Sequence, residues 1–338
     1  MKPTDFAYHL TNYLSKYLPA QVGVSENTIK SYRDTFSLFL RYCKSEKNLS
    51  PERLKISDIS IDIVENFLAW LESDRNCSVS TRNQRLSAIH AFFKYLQYEC
   101  PENLESLQKV LSIPLKRSCK KCFDYLTLDG VKSILSQPDQ SNRNGFRDLA
   151  LLTLMYDSGA RVQEIADLTN ADLRLDNSAS VKLRGKGQKT RIVPLMSQTA
   201  DVLIKYQKYV IDNKYTYDYP LFFSRRKEKL TRSGISFILA KYVDMARKQT
   251  PNLIPDKVTP HTLRHSKAMH LLQSGVNLIY IRDLLGHSDV KTTEIYARAD
   301  INIKRNALIN ANHPEIQLET PIWQKNSDLL SWLQSLGK

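Results

Sequence analysis

The sequence predicts a mainly α-helical protein of two domains, on three observations. Apolar residues recur at spacings of three and four along most of the chain. Only ten glycines occur, too few for the turn density of an all-β fold. The 338 residues exceed the ~100–200 usual for one domain. With 42% apolar and 25% charged residues the chain can bury real cores, which excludes wholesale disorder. Lys and Arg number 49 against 35 Asp and Glu, a formal charge of +14 that points to a polyanionic partner. No apolar run approaches the ~18 residues of a membrane span. The opening MKPTDFAYHLTNYL lacks the apolar core of a signal peptide. A soluble, cytoplasmic protein with no membrane association is therefore expected.

The elements follow in chain order. A first helix is expected near Asp5–Leu18. Ser25 caps a second, in which Ile29, Tyr32, Phe36, Phe39 and Cys43 share a face. Ser60 precedes a third over Ile61–Leu71, and Ser80 a fourth from about Thr81 to Tyr98, with Leu86, Ile89, Phe93 and Leu96 on one side. Four helices make a small bundle. The texture then changes to Ile113-Pro-Leu-Lys-Arg-Ser-Cys-Lys-Lys-Cys122, a basic, Pro-containing stretch that reads as a linker. Basic and acidic residues number 16 and 13 up to residue 118, and 33 and 22 beyond it, so most of the excess charge belongs to the second domain. That domain is also mainly helical, with helices over apolar Leu149–Tyr156, Gln198–Ile211, Arg232–Lys248, His261–Gln273, Asn277–Leu285 and around Thr292–Ala297. One β-hairpin interrupts it. Val181–Arg184 alternates apolar and basic residues, Gly185-Lys186-Gly187-Gln188 is turn chemistry, and Thr190–Pro194 returns.

Five cysteines form an odd, scattered set that fits a reducing compartment. Cys119 and Cys122 have CxxC spacing, but no second pair completes a zinc site, so they read as incidental thiols of a solvated linker. Thr259-Pro260-His261-Thr262-Leu263-Arg264-His265 opens a helix, with Thr259 as N-cap and Pro260 at N1. His261 and Arg264 share a face of its first turn, where free N–H groups, an imidazole and a guanidinium suit a phosphate. His261 and His265 have the spacing of a zinc helix, yet Thr262 replaces the general-base Glu, and Arg264 would set a charge beside any metal. No metal is expected. Gly286 suits the C′ position of Asn277–Leu285 and Ser288 can cap the next helix, which sets His287 in a tight corner nine residues before Tyr296. Upstream, Gly159 stops one helix and Arg161 opens another with Glu164 a turn on.

The order Arg161, Lys186, His261-x-x-Arg264, His287, Tyr296 resembles the signature of the tyrosine recombinases, the phage-integrase and Xer-type family. GARVQE, RGKGQKTRIVPL, HTLRH and LGHSDVKTTEIYAR carry the match, and STRNQRLSAIHAFFKYL is similar to the family's core-binding domain. The resemblance spans roughly residues 5–300. It implies a helical, SAM-like core-binding domain over 1–112 and a linker over 113–124. A mostly helical catalytic domain with a small β-hairpin sheet then covers 125–312, and a tail covers 313–338. It also implies that Tyr296 attacks a DNA phosphodiester to give a 3′-phosphotyrosyl link, with no cofactor or ATP.

By motif position, Arg161 and Arg264 brace the phosphate oxygens, Lys186 protonates the leaving 5′-oxygen, His261 and His287 contact the phosphate, and Glu164 supports the arginine from behind. Arg82 and Arg85, and the run Arg225, Arg226, Lys227, Lys229 and Arg232, are candidate DNA contacts. The expected partners are double-stranded recombination sites, a homotetramer of this chain, and possible accessory or sister recombinases; DNA binding would make the protein nucleoid-associated. Forty-two residues follow Tyr296, and Leu329, Leu330, Trp332, Leu333 and Leu336 form an apolar stripe on a short terminal helix, for which docking on a neighbouring protomer is preferred and packing on its own domain is the alternative. A mobile-element integrase or transposase is the preferred role. The alternatives are Xer-type dimer resolution and a non-cleaving DNA-binding regulator, against which the intact catalytic set speaks.

Overall fold

In the computed structural model the chain forms two compact units, Met1–Lys121 and Cys122–Lys338. The structure describes residues 3–117, 124–176, 178–185, 189–211, 218–287, 289–299, 331, 333 and 334. Lys186, Ser288, the Cys119/Cys122 pair and the tail residues Leu329, Leu330, Trp332 and Leu336 lie outside the described residues.

The first unit is a helical bundle. Helix α1 (Asp5–Asn12), capped by Thr4, continues into wider π-helical turns over Tyr13–Val22 instead of ending as a plain α-helix near Leu18. Pro19 lies within those turns; with no N–H it cannot close the regular α ladder. Helices α2 (Glu26–Lys47) and α3 (Ile61–Ser73) start at Ser25 and Ser60, whose hydroxyls accept from the backbone three residues on. Helix α4 spans Val79–Glu99, and α5 (Leu104–Leu111) adds a fifth helix to the four expected. The core is aromatic: the Phe92 ring lies 5.0–5.8 Å from those of Phe36, Tyr13 and Phe6. Such edge and tilted contacts add about 0.5–1.5 kcal/mol each beyond their buried area.

Two expectations for α4 need correction. Its cap is Ser78, whose Oγ accepts from Thr81 N at 3.2 Å, not Ser80. Arg82, expected to face DNA, is only 6% exposed. Its Nη1 donates to Pro114 O at 3.3 Å, while Asn83 and Lys116 exchange two hydrogen bonds beside it. Arg82 therefore straps the start of the linker to the bundle. The reason is helical phase, since positions 82, 86, 89, 93 and 96 share one face and that face is buried. Arg85 is half-buried, with Nη1 donating to Ser31 O and Thr35 Oγ1 at 3.1 and 2.9 Å.

The second unit is built round α7 (Arg143–Ser158), which is buried on most sides and so apolar almost all round. Around it lie α6 (Leu128–Leu135), short α8 (Val162–Ala166), α9 (Ser197–Tyr206), α10 (Arg232–Gln249) and α11 (Pro260–Gln273). Helices α12 (Leu278–Leu285) and α13 (Glu294–Ala299) follow. Helix α9 gives way to π-helical turns over Gln207–Ile211, short of the α-helix expected to reach 211. The hairpin strands β2 (Ser180–Arg184) and β3 (Thr190–Pro194) pair antiparallel with Leu183 opposite Arg191. A two-residue strand β1 (Leu173–Arg174) extends them to three strands. Val181, Leu183 and Val193 point inward and Ile192 outward, as the alternation predicts. A buried ion pair, Lys267 Nζ to Asp157 Oδ1 at 2.9 Å, ties α11 to α7, and Asp157 also accepts from Met196 N.

Candidate active site

The site gathers where four helix ends meet. Helix α7 ends at Gly159, whose φ of +57° is the left-handed conformation that releases the chain from the helix. Arg161 then stands before α8 with extended backbone, and Glu164 reaches back to accept from Arg161 N at 2.7 Å. Helix α11 starts at Thr259 and Pro260, which puts Arg264 in its second turn, 3% exposed. Helix α12 ends at Gly286, φ +66°, and turns the chain into His287.

Three arginines converge on that last corner. Arg191 Nε donates to Leu284 O at 2.8 Å, Arg264 Nη2 to Leu285 O at 2.7 Å, and Arg161 Nη2 to Gly286 O at 3.2 Å. Arg264 Nη1 also donates to Gly159 O at 2.8 Å, so it clasps the ends of α7 and α12 together. Helix C-termini carry unsatisfied carbonyls and a partial negative charge, which is why cations gather there. Glu164, 4% exposed, is the carboxylate between Arg161 and Arg191, accepting from the first at 3.0 Å and from the second through both oxygens at 2.8 and 2.9 Å. Burial pushes its carboxyl up. The Arg191 hydrogen bond, the Arg161 N–H and the two guanidinium charges outweigh this and hold it below the usual range.

An open cleft of about 540 Å³ lies over this cluster, lined by Arg161, Gly185, Lys189, Arg191, Gly286 and His287. Lys189 O accepts from Gly185 N at 2.8 Å and closes the hairpin base at the cleft's edge. Burial, then Arg264 and Arg161, pull the His287 imidazole down to about 4, so it is neutral at pH 7. Its Nδ1 bonds the Thr293 hydroxyl at 3.0 Å. His261 is shifted down by burial and the same two arginines. Arg264 itself is pulled down to about 10 by burial and by Arg161, and remains cationic at neutral pH.

Tyr296, on α13, is fully buried among Ala268, Met269, Ile281 and Leu285. Its ring stacks nearly parallel to His287, with centroids 6.5 Å apart. Its hydroxyl lies 2.9 Å from His265 Nδ1. Burial raises the phenol to about 12 against the opposing pull of Arg264 and Arg161, so the proton stays on oxygen in this arrangement. Burial, then His261 and Arg264, pull His265 down to about 4.

The structure thus brings Arg161, Glu164, Arg264, His287 and Tyr296 together, with His261 on the adjoining turn of α11. Lys186 is outside the described residues. Arg225, Arg226, Lys227, Lys229 and Arg232 lie exposed ahead of α10 and around its first residue, and Lys229 is paired with Asp167. Sequence reasoning missed two partners of the set. His265 enters it only as half of a zinc pair, although it adjoins Arg264 in HTLRH. Arg191 passes as an ordinary residue of the return strand, and its partner Glu164 is 27 residues away.

Two family models cover most of the chain: the phage integrase family over residues 124–302, and the phage integrase N-terminal SAM-like domain over 10–101. The chain is 36% identical to a putative integrase/recombinase, y4rC, of Sinorhizobium fredii, over 99% of both chains. It is 32% identical to the tyrosine recombinase XerC of Thermodesulfovibrio yellowstonii over 88% of this chain and 94% of that one. Among solved structures it shares the fold of the XerH recombinase bound to a palindromic difH substrate. There the TM-score is 0.66 at 22% identity, covering 83% of this chain and 78% of that one. It also shares the fold of the Tn1549 transposon integrase in complex with a circular intermediate DNA, with TM-score 0.65 at 18% identity over 89% and 99%. With both of its units matched and its arginines, histidine and tyrosine drawn to one corner, the chain belongs to the phage integrase family of tyrosine recombinases, enzymes that break and rejoin DNA.

Proposed function

We propose that the chain is a site-specific recombinase of a mobile element that cuts and reseals DNA through Tyr296. The observation that carries this reading is the convergence of Arg161 from the entry to α8, Arg264 from α11 and Tyr296 from α13 on the corner after α12 that holds His287. Arg161 and Arg264 bind the non-bridging oxygens of the scissile phosphate, and their charge stabilises the crowded pentacoordinate transition state. The Tyr296 oxygen bonds phosphorus as the 5′-oxygen leaves. The phenolic proton passes to a neutral histidine, and Lys186 gives a proton to the leaving oxygen. His261 and His287 hydrogen-bond the phosphate, and Glu164 holds Arg161 in register. Bond energy is kept in the 3′-phosphotyrosyl link, so neither ATP nor metal is required. In the present arrangement the Tyr296 hydroxyl is buried on His265, and engagement of DNA has to release it.

The mobile-element role is supported by near full-length similarity to y4rC. A second Sinorhizobium fredii relative, y4rD, is 31% identical over 76% of this chain and 91% of its own length, which supports a sister recombinase as partner. A homotetramer on two sites is the assembly this chemistry needs, since two duplexes exchange four strands. The test is a suicide substrate: the element's end sequence, nicked beside the cleavage point, incubated with the protein in EDTA. An SDS-stable protein–DNA adduct is expected, and its absence on every end sequence of the host element overturns the reading.

Binding itself should be salt-sensitive. Arg225, Arg226, Lys227 and Arg232 are exposed, whereas Lys229 is occupied by Asp167. Neutralising those four together is expected to reduce the slope of log affinity against log salt by about 3.6, given about 0.9 per phosphate contact. Gel-shift titrations over about a fourfold range of KCl measure it, and an unchanged slope removes this face from the DNA interface.

A further inference from the structure

We infer that Arg191 is a positioning residue that sets the hairpin and Arg161 against the same phosphate. Its side chain is 13% exposed, and its described bonds reach two separate parts of the site, Glu164 and the end of α12. Nη1 and Nη2 grip Glu164 in a two-pronged pair, and Glu164 in turn holds Arg161 by both its N–H and its guanidinium. Nε holds Leu284 O, one residue from the carbonyl that anchors Arg264 and two from the one that anchors Arg161. Gly286 packs directly on this guanidinium, since a Cβ there would lie 2.8 Å from Arg191 Nη1.

Arg191 is also part of the hairpin. It pairs with Leu183 in the sheet, the next pair is Arg184 with Thr190, and in sequence Lys186 follows Arg184 by two residues. At the hairpin base, a Cβ on Gly185 would come 3.3 Å from Glu164 Oε1, so Glu164 touches both the hairpin and Arg161. A displaced β3 would therefore pull on Glu164 and on the end of α12 together. The planar fork is what allows one side chain to hold a carboxylate with two nitrogens and a carbonyl with a third; a lysine supplies the charge without that geometry.

This inference rests on the proposed cleavage reaction, and the test separates the two. Single-turnover cleavage of the suicide substrate is compared for wild type, Arg191→Lys and Arg191→Gln, on an ordinary substrate and on one with sulfur replacing the bridging 5′-oxygen. A thiolate leaves without a proton, so a fault in placing Lys186 matters only for the oxygen substrate. The Gln variant is expected to bind DNA within about threefold of wild type and to cleave the oxygen substrate about 100-fold more slowly, with the Lys variant between them. On the sulfur substrate the deficit should shrink at least about tenfold, leaving only the part due to Arg161. An equal deficit on both substrates, or oxygen cleavage by the Gln variant within about threefold of wild type, overturns the inference. If the Gln variant does not fold, the same oxygen-to-sulfur comparison is read on the Lys variant. Failure of the wild type to form an adduct on either substrate would instead sink the cleavage reading itself.

Discussion

Tyr296→Phe should abolish the covalent DNA adduct, by on the order of 10⁴-fold or more, while leaving DNA affinity and fold nearly intact. Loss of a nucleophile removes the whole covalent path, and single knockouts of such groups cost factors of this size or greater. The ring and its hydroxyl have separable tasks here. The ring fills a buried cluster with Ala268, Met269, Leu272, Ile281 and Leu285, and phenylalanine keeps that packing. The hydroxyl contributes the 2.9 Å bond with His265, whose loss costs about 1 kcal/mol, a drop in Tm of a few degrees. Adduct formation on SDS gels, gel shifts and thermal melts read the three quantities separately. A Tyr296→Phe variant that still links to DNA would move the nucleophile elsewhere.

Glu164→Gln should be the most destabilising single change at the site, by about 3 kcal/mol. Breaking one partner of a buried charged cluster leaves the others uncompensated, a loss of about 3–5 kcal/mol when the group is fully removed, and glutamine retains the shape. Arg161 and Arg191 would then face each other across a neutral amide. In a unit of this size Tm should fall by about 10 °C. The pH dependence provides a second measure. The folded carboxyl is held below its unfolded value despite burial, chiefly by the Arg191 and Arg161 hydrogen bonds. Its contribution is therefore fully present above the unfolded value of about 4.3 and is lost as pH falls through the lower folded value. Melts of the wild type from about pH 3 to neutrality should show this acid loss, and the Gln variant should lack that part of it. Parallel curves for the two proteins would mean that the Glu164 carboxyl titrates alike in the folded and unfolded chain.

Much of the architecture is local and legible on that account. Ser25, Ser60, Thr259, Gly159 and Gly286 mark helix ends because capping and left-handed exits depend on a few adjacent residues. Strand β1 is not legible, being two residues long and dependent on tertiary packing, whereas α5 does carry an apolar period at Leu104, Leu107, Val110 and Leu111 that the linker's approach obscures. Ser78 and Ser80 compete for one cap with the same chemistry, and only the backbone path decides between them. Arg82 carries a signal that its charge obscures: it lies four residues before Leu86 on the apolar face, and phase outweighs charge there. At the site, ordered motifs give Arg161, Arg264, His287 and Tyr296. The residues that hold them, Arg191 and His265, act through contacts 27 and 31 residues away in sequence, which no spacing rule encodes.

The oxygens that tether the arginines are mostly carbonyls: Gly159, Leu284, Leu285 and Gly286, with one carboxylate, Glu164, among them. A carbonyl fixes the direction of a guanidinium but cancels little of its charge, whereas a carboxylate does both. Among the described residues, three cations held by these dipoles and one anion leave the cluster itself with a net positive charge. Arg264, whose charge is disfavoured by burial and by Arg161, carries the tension most plainly. The protein has thus separated anchoring from neutralisation, and the unmet demand for negative charge is what a phosphodiester satisfies when it arrives.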